Sequence, residues 1–274
     1  MADDAPDPSD VTDPVVARVL TSRKYRGLDP VFVARLVAEV RVHARSDKEA
    51  VQWTKRRLQQ AVGAFTSGRP AVALARTREA LEADPDDRSA LVAAMGSHSS
   101  SAERVAHLDA VADLLSSWVG RPASVLDLAC GLGPLATPWL DLAAGCRYWC
   151  CDVDLGVVDG LRALAPFLPV DLTAETVDLV ADTITRPAEV ALALKAVTTL
   201  DQQRPGRSAV VLAALRCPDV VISVPSQSLS GGRRYADPLG LVQRTAEAAG
   251  LDLLDSRALG AELYAHLRLR EPRQ

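Results

Sequence analysis

The stretch Ser124-Val125-Leu126-Asp127-Leu128-Ala129-Cys130-Gly131-Leu132-Gly133-Pro134 runs from a β-type apolar segment into a glycine turn. A strand that ends in small residues lets a cofactor lie against bare backbone. The dinucleotide fingerprint G-x-G-x-x-G is incomplete here, because Ala136 stands at the third glycine. Further polar residues follow other apolar runs. Asp152, with Asp154 as the second choice, stands where a carboxylate can accept both hydroxyl hydrogens of a ribose. Asp182, in Ala181-Asp182-Thr183, can accept from the exocyclic amine of an adenine. Leu194-Lys195 closes another run and faces the point where a transferred group would sit. One such carboxylate is as readily a helix cap or turn cap. Three in series, Asp127, Asp152 and Asp182, each after its own strand, point to an adenosine-containing cofactor.

These residues need an open parallel sheet, in which ligands bind beyond the carboxyl ends of the strands. Strand-like runs at 124–129, 147–151, 176–180, 188–195, 219–224, 251–256 and 261–269 alternate with helical segments up to the last pair. Alternation of this kind predicts an α/β, Rossmann-like, doubly wound sheet. The short gap at Ala258–Gly260 predicts a closing antiparallel hairpin. Seven strands with the last reversed, and an acidic strand end followed by Ala-Cys-Gly, are the arrangement of S-adenosylmethionine (SAM)-dependent methyltransferases.

Before Gly120 the pattern is helical. Asp13-Pro14 reads as an N-cap with proline at the first helical position. Val31, Leu36, Val37, Val40 and Val42 form one apolar set, and Val51, Leu58, Val62 and Phe65 another, which ends at Gly68–Pro70. Helices are expected over Val72–Ala83, from Pro85-Asp86 to about Met95, and as one long amphipathic helix over Ala102–Val119. The expected organisation is a disordered acidic leader (1–12), an all-helical basic domain (13–98) and a methyltransferase domain (99–274).

Charge separates the same regions. Val16–Ala80 holds 14 Lys+Arg against 5 Asp+Glu, whereas the rest holds 17 against 30, for a net charge of −4 overall. A basic segment on an acidic protein calls for a polyanionic partner. The longest apolar runs are too short to span a bilayer, and the acidic N-terminus is unlike a signal peptide. A cytoplasmic protein is expected. The five cysteines lack zinc-site spacing, so no metal is expected and they read as small buried hydrophobes.

Blocks spread from about Val19 to Leu267 carry a family resemblance. They are Ser22-Arg23-Lys24-Tyr25, Thr54-Lys55-Arg56-Arg57-Leu58, Gly63-Ala64-Phe65, His98 with Ser100, Glu103-Arg104 and His107-Leu108-Asp109. Beyond these come Asp127 to Leu132, Pro134-Leu135-Ala136, Asp152 with Asp154, Ala181-Asp182, Leu194-Lys195 and Gln202-Gln203. Pro225 with Ser228-Leu229 and Gly260 with Glu262-Leu263 complete the set. On these the chain resembles the aminoglycoside-resistance methyltransferases of actinomycetes and pathogens, which modify guanine N7 in the 16S rRNA decoding site (nucleotide 1405 by family analogy).

The resemblance implies that Arg104 pairs with the methionine carboxylate of SAM and that Ala129 and Gly131 line its methionine moiety. Asp152 would hold the ribose, Asp182 the adenine amine, and His98 would help shape the pocket. Asp127, Val153, Thr183, Leu194 and Gln203 complete the implied cofactor set. Lys195 and Ser228 would position the base. Arg23, Lys24, Arg26, Lys55, Arg56 and Arg57 would contact rRNA phosphates of the 30S subunit, with Arg233 and Arg234 on the loop after the fifth strand. A monomer is expected. The chain departs from the family at Gly133, where Asn is usual, and at Gln227, where a cation is usual. Other readings stay open: a catalytically silent 30S-binding homologue, an rRNA adenine-N1 methyltransferase, a small-molecule methyltransferase, or an NAD-dependent oxidoreductase. The last lacks the full glycine fingerprint and a catalytic Tyr/Lys or His pair.

Overall fold

An aspartate followed by proline opens the first two helices, α1 (Pro14–Leu20) and α2 (Pro30–Arg41). The Asp13 carboxylate accepts from the Val15 N–H, and Asp29 accepts from Val31 and Phe32. The proline has no N–H to leave unsatisfied there. The computed structural model describes residues 10–62, 70–226 and 237–270. α3 (Asp47–Ala61) starts on Ser46, whose hydroxyl accepts from the Glu49 N–H. Helices α1 to α3 enclose their own core around Val15, Val19, Phe32, Leu36 and Leu58. Phe65 lies outside the described residues.

Four more helices lead to the sheet: α4 (Pro70–Ala83), α5 (Arg88–Met95), α6 (Ser99–Val105) and α7 (Leu108–Val119). The helix expected over 102–119 is therefore two, broken at Ala106 and His107. The break seats the His107 ring against the turn at Gly260, where an added Cβ would lie 2.8 Å from its Cδ2.

The sheet contains β1 (Ser124–Leu128), β2 (Arg147–Asp152), β3 (Asp171–Thr176), β4 (Val190–Leu194), β5 (Asp219–Pro225), β6 (Leu251–Leu259) and β7 (Glu262–Leu269). Its order is β3-β2-β1-β4-β5-β7-β6, with β7 antiparallel to both neighbours. The other pairings are parallel. α8 (Leu155–Leu164) follows β2, α9 (Ala196–Gln203) and α10 (Arg207–Ala213) follow β4, and α11 (Pro238–Ala249) precedes β6.

The third strand corrects the expectation of 176–180. At the sheet edge β3 has one partner and carries polar residues at Asp171, Thr173, Glu175 and Thr176, so only Ala174 is fully buried. Such a strand shows little apolar signal. The apolar run Val177–Val180 is instead a loop turned inward towards the strand ends.

Alternate strand residues pack opposite faces. Val125, Tyr148, Cys150 and Leu192 meet α4, α5, α7 and α8. Leu126, Leu128, Cys151 and Ile222 meet α9, α10 and α11. Apolar packing thus joins α4 and α5 to the sheet, within the segment expected as one helical domain at 13–98. All five cysteines are buried free thiols. Among the described residues no helix is long and apolar enough to cross a membrane.

Candidate active site

An open cleft of about 830 Å³ lies beyond the carboxyl ends of β1, β2 and β4. Its floor is backbone held in unusual conformations. Ala129 (φ +51°), Gly131 (φ +51°) and Lys195 (φ +62°) all lie in the left-handed region. For Ala129 and Lys195 this costs about 1–3 kcal/mol each, and such strain clusters at functional sites. The His98 ring covers Gly131 so closely that an added Cβ there would stand 2.9 Å from its Cε1. Burial pushes the His98 pKa down, so the ring is neutral at physiological pH.

Asp152 joins two of these strand ends. Its Oδ2 accepts from the Gly131 N–H at 2.9 Å and its Oδ1 from the Asp154 N–H at 3.0 Å. Asp154 is the N-cap of α8, accepting from Gly156 and Val157. Burial, together with the Asp152 charge, pushes the Asp154 pKa up to about 6. Each of the two carboxylates thus accepts two backbone N–H bonds, and both residues line the cleft.

The N-terminal helices supply another wall. Leu28 and Phe32 line the cleft beside Val153. The Asp29 N–H donates to the Val153 carbonyl at 2.9 Å, and the Leu155 N–H to that of Gly27 at 2.8 Å. Asp178, Leu179, Val180, Leu194 and Gln203 also line the cleft. Asp182 and Thr183 are exposed and lie outside this lining. Because β3 ends at Thr176, the acidic residue after it that borders the cleft is Asp178.

Arg104 and Asp127 line a second, smaller cavity, which shares Leu194 with the cleft. Arg104 donates to Glu262 through Nε at 2.9 Å and Nη2 at 3.2 Å. Burial raises the Glu262 carboxyl, and the Arg104 and Lys195 charges more than reverse that, leaving its pKa lowered. The Ser223 hydroxyl donates to the same carboxylate at 2.5 Å. Lys195 is 3% exposed and paired with Glu103 and Glu262. The Asp127 Oδ2 accepts from the Tyr148 hydroxyl at 2.9 Å, while burial pushes its pKa up to about 7.

The two basic clusters near the N-terminus form one surface. Lys24 donates to Gln59, and the Tyr25 hydroxyl donates to the Lys55 carbonyl at 3.2 Å. Arg23, Lys24, Arg26 and Arg56 are exposed, and Lys55 is half-buried. Arg57 is half-buried and donates to Glu39 and to the Gln203 carbonyl. Ser228, Arg233, Arg234 and Gln227 lie outside the described residues.

The residues present fit an S-adenosylmethionine-type cofactor. They combine left-handed backbone at Ala129 and Gly131, a ribose-type acceptor at Asp152 and a mainly apolar lining that includes the buried Asp178. The family model described as "Ribosomal RNA methyltransferase (FmrO)" matches residues 21–253. The chain belongs to this family. A 16S rRNA (guanine(1405)-N(7))-methyltransferase of Micromonospora olivasterospora is 43% identical over 253 residues, covering 91% of this chain and 85% of the relative. One of the same description from Micromonospora echinospora is 35% identical, covering 81% and 83%. The 16S rRNA methyltransferase RmtF, solved with S-adenosyl-L-homocysteine, superposes with a TM-score of 0.78 at 27% identity, covering 93% of this chain and 97% of that one. The fold is thus that of the SAM-dependent methyltransferases.

Several residues of this methyltransferase's cleft escaped sequence reasoning. Asp178 lay inside the apolar run taken as a strand. Leu28 and Phe32 gave no signal, because no spacing links them to Val153. Glu262 follows the turn at Gly260 and was visible only as part of the resemblance. Its buried partners Arg104 and Lys195 lie far away in sequence, and only the fold brings them together.

Proposed function

We propose that this chain transfers the methyl group of SAM to N7 of guanosine 1405 in 16S rRNA, within the 30S subunit, and so confers aminoglycoside resistance. The observation that carries the reading is the meeting, on one chain, of an exposed cationic surface with a strand-end cleft lined by Asp152 and the backbone of Ala129 and Gly131. The naming of relatives such as that of M. olivasterospora supplies the position.

The bound cofactor supplies an electrophilic methyl group on a sulfonium. Guanine N7 offers a lone pair and carries no proton, so no side chain has to act as a base. The work left to the protein is alignment. In this reading Asp152 holds the ribose hydroxyls, while the backbone at Ala129 and Gly131 lies along the methionine moiety. Arg104, braced by Glu262, takes the methionine carboxylate through a charge-assisted bond. Asp178, in place of the exposed Asp182, faces the adenine. His98, neutral and packed on Gly131, shapes the floor. Lys195 and Ser228 position the incoming base, which must leave its stack to reach a recessed site.

Helices α1 to α3 are assigned to docking on the 30S subunit through Arg23, Lys24, Arg26, Lys55 and Arg56, with Arg57 at the edge. The methyltransferase works as a cytoplasmic monomer. Methylation at N7 removes an acceptor from the major-groove edge and leaves the base positively charged. A polycationic drug that binds there loses an acceptor and meets a like charge.

The test is incubation of purified protein with 30S subunits and isotopically labelled SAM, followed by mapping of the modified nucleotide. Label at N7 of guanosine 1405 is expected. Absence of label on 30S would sink the reading, and label at an adenine N1 would move the chain to another resistance class.

A further inference from the structure

Arg35 is 4% exposed, sits on α2 and does not itself line the cleft. Its guanidinium nevertheless grips two residues that do. Nε donates to Asp178 Oδ2 at 2.5 Å and Nη2 to Asp178 Oδ1 at 3.3 Å. Nη2 also donates to Gln203 Oε1 at 2.9 Å, and Nη1 to Glu39 at 2.8 Å. The guanidinium packs over the Phe32 ring, with 5.4 Å to the centroid. Asp178 in turn shapes the loop after β3. Its Oδ1 accepts from the Val180 N–H at 2.9 Å, and its carbonyl accepts from Ala181 and Asp182 at 2.9 and 2.8 Å.

We infer that Arg35 is a positioning residue of the cofactor site, holding the 177–182 loop and Gln203 at the adenine end. The inference rests on the cofactor reading above and adds a residue from the helical region to that site. A planar fork suits this task, because one side chain can fix acceptors on two separate walls. Stability alone does not explain it. A buried ion pair is often no more stabilising than apolar residues of the same volume, and the guanidinium here already packs on the Phe32 ring. The apolar wall at Leu179 and Val180 would drift without Asp178 pinned from behind. Helix α2 thereby serves the cofactor as well as the nucleic acid.

Full-length parent, Arg35→Met, Arg35→Lys and Leu36→Ala are compared by calorimetry with S-adenosyl-L-homocysteine and with 5′-methylthioadenosine, and by melting temperature. Leu36→Ala is the packing control from the same helix. Loss of a charge-assisted fork corresponds to about tenfold or more in affinity. Arg35→Met is expected to weaken both ligands by that factor, since both carry the adenine end. Arg35→Lys, which keeps charge but not the fork, is expected to lose more than about twofold but less than Arg35→Met. Should Arg35→Met fail to fold, the Lys variant alone decides. Binding by either Arg35 variant within about twofold of the parent overturns the inference, as does an equal loss in Leu36→Ala at matched melting temperature. If the parent itself does not bind S-adenosyl-L-homocysteine, the cofactor reading falls and this inference with it.

Discussion

The Gly131 N–H donates to Asp152 Oδ2 across 2.9 Å, tying the turn after β1 to the end of β2. The same carboxylate faces the cleft, so one residue shapes the glycine turn and presents an acceptor to a ribose. Asp152→Ala is therefore expected to abolish SAM binding in calorimetry while 30S affinity stays at the parent value. Asp152→Asn keeps one acceptor oxygen and should lose less. Undiminished SAM affinity in Asp152→Ala would remove the residue from the site.

The exposed cations on α3 and on the turn before α2 lead to a different readout. Arg56 is exposed and its guanidinium is open to an incoming phosphate, whereas Arg57 is engaged by Glu39 and the Gln203 carbonyl. Arg56→Glu should weaken 30S binding about tenfold at moderate salt and flatten its salt dependence, because fewer counterions are released. SAM affinity should not change. Arg57→Glu should weaken 30S binding and also disturb the Glu39 cluster. Unaltered 30S affinity in Arg56→Glu would discredit the phosphate-contact role.

How much of this was legible follows from where each signal resides. Asp13-Pro14 announces a helix start because capping is a local interaction, settled within a few residues. Asp152 was readable because it closes an apolar strand at a set distance from a glycine turn. The third strand was not, since an edge strand with polar residues at alternate positions resembles a loop, and the buried loop beside it resembles a strand. Arg35 and Asp178 lie 143 residues apart, and no periodicity connects them. The left-handed backbone at Ala129 and Lys195 is equally silent, because neither residue type advertises it.

Gly133 has a steric reason to be glycine in this chain. A Cβ there would stand 2.9 Å from Asp127 Oδ2, an oxygen already fixed by the Tyr148 hydroxyl. Gly133→Ala should push that carboxylate off its hydrogen bond and destabilise the fold by about 1–3 kcal/mol, the usual cost of overpacking. Denaturant unfolding measures this. Combining Gly133→Ala with Asp127→Ala, which vacates the space, should cost less than the sum of the two single changes. Strict additivity would show that the two positions do not press on one another.

Asp127 itself predicts a pH dependence. Burial lifts its pKa from 3.8 to about 7 in the folded chain, against the opposing pull of the Tyr148 hydroxyl and the Arg104 charge. Between those two pH values the folded state keeps a proton that the unfolded chain has released. Its contribution to stability therefore falls as pH rises through that window and levels off above about 7. A shift of this size corresponds to something of order 4 kcal/mol at the alkaline end. Asp127→Asn mimics the protonated side chain and can still accept from Tyr148 through its amide oxygen. The variant should match the parent near pH 4 and unfold at a higher urea midpoint than the parent at pH 8. The gap between the two should open progressively across the window. A parent and variant whose stabilities run parallel from pH 4 to 8 would mean that Asp127 is already ionised in the folded chain at low pH, with Arg104 outweighing its burial.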